Sequence, residues 1–478
     1  MKSEILQLQK RFQLESFDFG NYLELLQKKL KVHQDKCNSF VTLLNPTLKR
    51  EGVLSGVPYA LKDNFSTKGI LTTASSNTLK NYIPVYNATV YEKLLESGAL
   101  LVGKTTMDEF GMGATGTTGH TGVVTNPFDE TRQAGGSSAG SAAVVASGIL
   151  PFALGSDTGD SVRKPAAYCG IVGYKPTYGL ISRYGMFPFA SSLDHVGVLT
   201  RTVKDAAIVV DQIKGQDPKD MTSIDSSQIH LQKRLENKEN KHKKLFYLKE
   251  IMDIDRYENP SEDLKETFAL FEKTLVKAKE LGWSVQSESI DVTLLEALAS
   301  SYMCISCAEA TSNLSNLTGI IFGLRGKSNQ INEMIKESRT DGFSPLIKRR
   351  LVIGSYVLQK ENQEKYFKNA MRVRKLIVDR MNELFQTYDA LILPCGEGRA
   401  KLLDGSKNSF SKEVAVLENH MVIGNFGGFP SITIPNGYIK GLPVGINLTG
   451  AVRDDENLLE IADSLEEKID FQLFGGEK

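Results

Sequence analysis

No stretch of this 478-residue sequence approaches the roughly 20 consecutive apolar side chains that a helix needs to cross a bilayer, so no membrane span is expected. The opening Met1-Lys-Ser-Glu-Ile5 lacks the charged-then-apolar layout of a secretory signal, and a cytoplasmic protein is the expectation. Charge of one sign is missing too. With 57 basic and 57 acidic side chains the net charge is zero, which removes any overall pull toward nucleic acid; an RNA contact would be local or made through a partner. Cysteine is scarce, five residues scattered and odd in number, as for reduced thiols. Cys304-Ile-Ser-Cys307 has the form C-x-x-C, but no second pair or histidine cluster completes a zinc shell, and two small apolar residues on a helix face are expected instead. The six histidines show no metal-ligand spacing, so no metal site is expected.

Glycine, by contrast, is concentrated. Residues 101–180 hold 15 of the 41 glycines, about twice an even share, so tight turns and close backbone approach gather there. The start of the chain, residues 1–50, reads as a helical segment, with Phe19, Tyr22, Leu23, Leu26 and Leu30 at three- and four-residue spacing within one amphipathic helix over 3–35. Gly56-Val-Pro-Tyr-Ala-Leu-Lys62 reads as a buried strand projecting Lys62 from its end, followed by a helix over 88–97 and a strand Ala99-Leu-Leu-Val102 closed by Gly103. Residues 216–260 are a charged surface elaboration interrupted by the strand-like Lys244–Leu248. Residues 261–388 are mainly helical, with patterns over 261–282, 294–317 and 355–388. The strand Ala390–Pro394 follows, then an antiparallel pair, Ser431–Pro435 and Pro443–Leu448, around Asn436-Gly437. These features predict an α/β fold: one domain over 1–478 with a central mixed β-sheet covered by helices on both sides.

Two well-known patterns occur without their context. Gly111-Met-Gly-Ala-Thr-Gly116 matches G-x-G-x-x-G, with Asp129 downstream, but it follows a polar stretch and opens no helix. Gly136-Ser-Ser138-Ala-Gly140 matches the nucleophile elbow G-x-S-x-G, with Asp194-His195 downstream, but Phe128–Gln133 before it is too polar for the buried strand such an elbow needs. His195 is expected to be structural.

A more specific constellation remains. Two hydroxyl-rich, glycine-flanked turns, Arg132–Ser141 and Gly155–Pro165, bracket the apolar run 142–154 and can bring Ser137 and Ser161 together although they lie 24 residues apart. A serine attacks an amide only if a base takes its proton, and a desolvated, neutral Lys62 is the candidate. Gly135-Gly-Ser-Ser-Ala-Gly-Ser141, Gly155-Ser-Asp-Thr-Gly-Asp-Ser-Val-Arg163, Cys169-Gly-Ile-Val-Gly-Tyr-Lys-Pro176 and Gly56–Asp63 resemble the amidase signature family from about residue 20 to 465. Within it, Thr177–Gly185 and Phe189–His195 are most similar to the tRNA-dependent amidotransferase branch. The resemblance implies Ser161 as nucleophile, Ser137 as a bridging serine preceded by a cis bond, Lys62 as base, and an oxyanion hole from the backbone of Thr158, Gly159 and Asp160 up to Ser161. It places Arg350 at the substrate α-carboxylate, Glu418 at the α-ammonium and Tyr302 along the site. It further implies a glutaminase with no cofactor of its own, which delivers ammonia within a heterotrimer. Two other subunits complete that assembly, one of which activates mischarged Glu-tRNA(Gln) or Asp-tRNA(Asn) with ATP and magnesium.

The sequence departs from the family pattern at two places. Asp160 stands where the family usually has a second glycine, and a carboxylate about 6 Å from the oxyanion would cost roughly 3 kcal/mol if aimed inward. It is therefore expected to turn outward, toward Arg163 or Lys164. Gly116–His120 also lacks the acidic residue expected in the tRNA-dependent members. A free-standing amidase of small amides and a catalytically inactive scaffold are the alternatives.

Overall fold

The computed structural model describes residues 3–46, 51–238, 241–405 and 412–473. Thirteen strands are present among them: β1 Phe40–Leu43, β2 Pro58–Lys62, β3 Leu100–Thr105, β4 Thr125–Asn126, β5 Asp129–Gln133, β6 Phe152–Asp157, β7 Val172–Lys175, β8 His195–Thr200, β9 Lys244–Leu248, β10 Ser284–Glu288, β11 Ala390–Pro394, β12 Ser431–Ile439 and β13 Leu442–Gly450. Eleven form one mixed sheet in the order β1-β3-β2-β6-β8-β7-β12-β13-β11-β9-β10, while β4 and β5 form a separate hairpin. β2 runs parallel to β3 and β6, whereas β8 returns antiparallel to β6. The ends of β2 and β6 therefore lie side by side, which brings Lys62 next to the loop after Asp157.

One sheet face packs against the helices Val203–Ile213 and Asp455–Ile469 through residues such as Leu61, Leu154, Val198, Ile208 and Leu458. On the other, the helices Leu298–Asn313 and Asn369–Leu384 cover β9 and β11, while β2, β3, β6 and β8 are covered by Ala139–Ala146, every residue of which is buried. That helix is built from Ala, Gly, Ser and Val because it runs against main chain. A Cβ on Gly140 would lie 2.2 Å from the Ser39 carbonyl oxygen and 2.8 Å from that of Thr106. Gly140→Ala is accordingly expected to destabilise the fold by about 1–3 kcal/mol. A thermal midpoint equal to wild type would show that the helix can back away from that backbone.

The predicted architecture holds, and several boundaries move. The single amphipathic helix over 3–35 is two helices, Glu4–Phe12 and Phe19–Cys37, because the Asp18 carboxylate caps the second by accepting from the Asn21 amide. β3 runs through Gly103 rather than stopping there, and the missing side chain admits Phe40 of β1, whose ring atom would lie 2.6 Å from a Cβ. The turn between β12 and β13 falls at Lys440-Gly441, both at positive φ, while Asn436-Gly437 is a register shift inside the pair. The 355–388 helix is interrupted: Pro345–Leu358 ends at Gln359, and a π-helical turn, Gln363–Lys368, precedes Asn369–Leu384. Lys244–Leu248, placed by composition in a surface elaboration, sits inside the sheet between β11 and β10.

Candidate active site

Lys62 is the last residue of β2, an all-buried strand, and its own side chain is fully buried. Its Nζ lies 2.7 Å from Ser137 Oγ, 2.9 Å from Ser138 Oγ, 2.9 Å from Ser156 Oγ and 3.1 Å from the Ser156 carbonyl oxygen. Burial brings the amine down to about 7, although Asp108, Asp157 and Asp194 favour its charged form. A neutral amine offers two N–H groups and one lone pair. Ser138 donates to the Ser156 carbonyl and so receives one N–H of Lys62, while Asn64 donates to Ser156 Oγ at 3.0 Å. With its second N–H shared between the Ser156 carbonyl and Ser156 Oγ, Lys62 keeps its lone pair for the Ser137 hydroxyl. The arrangement can therefore draw a proton from Ser137.

The Gly136-Ser137 peptide is cis. Beneath it lies Asp108, whose carboxylate accepts from the amides of Thr115, Gly116, Thr117 and Thr118 and from the Thr118 hydroxyl, at 2.9–3.2 Å. A Cβ on Gly136 would sit 2.0 Å from Asp108 Oδ2, so glycine alone fits there. The two serine turns meet directly: the Ser138 amide donates to the Ser161 carbonyl at 3.1 Å. Ser161 itself is 4% exposed.

The loop carrying Ser161 is fixed from two sides. The buried Asp157 accepts from the Val162 amide and from Arg163 Nε and Nη2 at 2.9–3.1 Å. Arg163 in turn donates to the Gly159 carbonyl at 2.7 Å, to Asn425 Oδ1 at 2.7 Å, to the Met421 carbonyl at 2.8 Å and to Ser431 Oγ at 3.1 Å. Because a trans peptide holds C=O and N–H antiparallel, an Arg163-bound Gly159 carbonyl directs the Asp160 N–H to the opposite side. On the other flank Thr158 Oγ1 donates to Asp194 Oδ1 at 2.6 Å, and Asp194 Oδ2 accepts from the Phe189 and Ala190 amides. Burial pushes the Asp194 carboxyl up to about 6, with Thr158 and those amides opposing. Asp194 thus does not serve His195, whose Nδ1 faces the Leu193 carbonyl at 2.6 Å and whose ring packs edge-on against Tyr178.

Asp160 has no positive φ, and the residue is half-buried. The expected anchors do not hold it. Arg163 is committed to Asp157, and Lys164 to Glu418 Oε2 at 2.9 Å and the Cys395 carbonyl at 2.7 Å. Among the described residues the Asp160 side chain has no hydrogen bond or ion pair, to Ser161 or to any other group. Tyr302, on the helix Leu298–Asn313, lies against the nucleophile loop: a Cβ on Gly159 would come within 3.1 Å of its hydroxyl. Arg350, on Pro345–Leu358, stands over the Phe189 ring at 5.6 Å, and its Nη1 is buried with no hydrogen-bond partner. Glu418 has both oxygens engaged, Oε2 by Lys164 and Oε1 by the Glu397 amide at 2.7 Å, with Lys401 3.8 Å away. Burial alone would raise its carboxyl, but Lys164 and Lys401 bring it down to about 2.

Residues 22–459 match the family described as Amidase. The chain belongs to the amidase family. It is 37% identical to the A subunit of glutamyl-tRNA(Gln) amidotransferase from Pseudothermotoga lettingae over 95% of each chain, and 38% identical to that of Mycoplasma pneumoniae over 98% of each. The crystal structure of the corresponding A subunit from Thermotoga maritima superposes with a TM-score of 0.80 at 33% identity, covering 96% of this chain and 94% of that one.

In this amidase the sequence reading missed Ser138, Ser156, Asn64, Asp108 and Asp194. Ser138 was visible only as the centre of a spurious elbow; it precedes the helix Ala139–Ala146 and turns its hydroxyl to Lys62. Ser156 and Asn64 carry no motif of their own. Their signal is the parallel register Leu61↔Leu154, which no local pattern encodes. Cys304 and Cys307 are free thiols, and Gly354 crosses so close to Cys307 that a Cβ would sit 2.1 Å from its carbonyl oxygen. Among the described residues no group of three or more His, Cys, Asp or Glu is placed to hold a metal, and no helix is long and apolar enough to cross a membrane.

Proposed function

We propose that this amidase is the glutamine-hydrolysing subunit of a tRNA-dependent amidotransferase. The observation that carries the reading is the fully buried Lys62 amine hydrogen-bonded to Ser137, on a loop joined to that of Ser161. Neutral Lys62 takes the Ser161 proton by way of Ser137 as Ser161 Oγ adds to the glutamine amide carbon. Backbone N–H groups of the Thr158–Ser161 loop receive the oxyanion, each worth on the order of 3 kcal/mol in the transition state. Lys62 returns the proton through Ser137 to the departing nitrogen, and ammonia leaves an acyl-enzyme on Ser161. Water then attacks with the same groups in reverse order, so that glutamine and water become glutamate and ammonia.

Support for the wider assembly comes from the full-length similarity to chains named as A subunits. On this reading two further subunits complete the enzyme in the cytoplasm. One uses ATP and magnesium to activate mischarged Glu-tRNA(Gln) or Asp-tRNA(Asn), and this chain carries no cofactor. Isolation from the native cell tests it: two co-purifying partners and ammonia release from glutamine are expected. A lone chain hydrolysing assorted amides would instead identify a free-standing amidase, and an assembly without glutaminase activity a scaffold.

Arg350 supplies a sharper discrimination. Its unpartnered buried Nη1 suits the glutamine α-carboxylate, a charge-assisted contact worth about 2–3 kcal/mol. Arg350→Ala is expected to raise KM for glutamine about 100-fold while changing hydrolysis of an uncharged amide such as propionamide less than about threefold. Equal losses on both substrates would make Arg350 a structural residue.

A further inference from the structure

Glu109 is a buried carboxylate that the proposed chemistry leaves unused. It is 2% exposed, and its oxygens accept from the Ser76 hydroxyl at 2.5 Å and from the Ser344 amide at 3.3 and 3.4 Å. Ser344 is the N-cap of Pro345–Leu358, the helix that carries Arg350. A carboxylate there faces the positive end of the helix dipole. Burial raises the Glu109 carboxyl, and hydrogen bonds from Ser344 and Ser76, together with Lys348 in the first turn, oppose that rise.

The residues on either side show what this contact connects. Asp108 donates its amide to the Ser137 carbonyl at 3.2 Å, and its carboxylate holds the loop beneath the cis peptide. Phe110 packs its ring on Phe343, the residue before Ser344, with centroids 5.8 Å apart. One tripeptide therefore grips the bridging serine with its first residue and the start of the Arg350 helix with its second and third. Past Arg350 the helix is pinned again: the Thr311 hydroxyl donates to the Leu351 carbonyl at 3.3 Å, and Gly354 crosses Cys307. The Ser344 hydroxyl already caps the helix by accepting from the Ile347 amide at 3.4 Å, so starting the helix does not call for Glu109.

Extending the glutaminase reading, on which this rests, we infer that Glu109 is a positioning residue that sets the place of Arg350 relative to the serine relay. Displacing the helix start by about 1 Å weakens a charge-assisted bond from Arg350 to a substrate carboxylate, while the amide carbon still meets Ser161, Ser137 and Lys62. Binding of glutamine and the chemistry at its amide are then separable, and Glu109 belongs to the first.

The test uses the full chain together with the partners that co-purify with it. Glu109→Met fills the buried volume and removes both acceptor oxygens. It is expected to raise KM for glutamine about 20-fold, with kcat for glutamine and kcat/KM for propionamide each within about threefold of wild type. Glu109→Gln, which keeps an acceptor, should hold KM within about fivefold. Ser344→Pro removes the other partner at φ −65° and ψ 163°, which proline adopts, and should reproduce the KM change with Glu109 in place. That variant also gives the answer if Glu109→Met does not fold. Combined, the two substitutions should raise KM no further than the larger of them alone, because they cut one connection. An unchanged KM in either variant, equal losses on glutamine and propionamide, or additive effects in the double variant overturns the inference. Failure of both single variants to fold overturns it too, by making Glu109 a residue of the fold alone. A wild-type assembly that leaves glutamine intact overturns the glutaminase reading itself, and this inference with it.

Discussion

Ser161→Ala is expected to lower glutamine hydrolysis by on the order of 10⁴-fold or more, equivalent to about 5 kcal/mol of transition-state stabilisation. The size follows from the role proposed for the residue. Without Oγ no acyl-enzyme forms, and the remaining groups can only assist water. The change should leave the fold intact, because the hydrogen bond joining the two serine turns uses the Ser161 carbonyl, not its hydroxyl. Ammonia release measures the loss, and amidation supported by added ammonia measures the integrity of the assembly. A variant that retains both activities would remove Ser161 from the chemistry. One that loses both would show a folding defect, and Ser161→Cys would then have to recover ammonia-supported amidation.

Lys62→Met carries the second large effect, a loss of about 10³- to 10⁴-fold in kcat/KM, since methionine fills the buried volume but holds no proton. Wild type offers the complementary measurement. A base must be neutral to act, and burial has brought this amine down to about 7. The sign is therefore fixed: kcat/KM rises about tenfold per unit as pH climbs toward 7 and levels off above it. A profile recorded between pH 5.5 and 9 that stays flat from 6 to 8 would assign the proton transfer to another group. The alkaline plateau also separates Lys62 from an ordinary surface lysine, whose neutral form would still be increasing near pH 10.

Much of this was legible in the sequence, and the limits have physical causes. Lys62 could be read because a buried strand that ends in a charged residue leaves that residue few places to go. Ser137 and Ser161 could be read because glycine-rich turns of that kind bracket one apolar run. The partners of Arg163 and Lys164 could not. Asp160 stands nearest to both in the chain, yet Asp157 and Glu418 outcompete it by presenting carboxylates in better geometry, one from the end of β6 and one from a helix 254 residues away. The N-terminal helix break was hidden for a similar reason. Amphipathic spacing continues across residues 13–18, and only the Asp18 cap marks the restart. Lys244–Leu248 was misplaced because its flanks are polar while the strand pairs with two neighbours in the sheet.

The position of Arg163 also has a consequence for how the protein comes into being. Its side chain is held by Asp157 and Gly159 close by, but equally by Met421, Asn425 and Ser431, which are about 260 residues further along the chain. A ribosome making this protein therefore releases Lys62, Ser137 and Ser161 long before the groups that brace their loop exist. The nascent chain carries the side chains of the proposed relay without the support that orients them, and gains it only as the segment containing Met421, Asn425 and Ser431 folds back onto the sheet. On the proposed mechanism, hydrolytic competence waits until Ser431 has been made, and a chain truncated before Met421 is expected to be inert despite retaining every residue proposed for the proton relay.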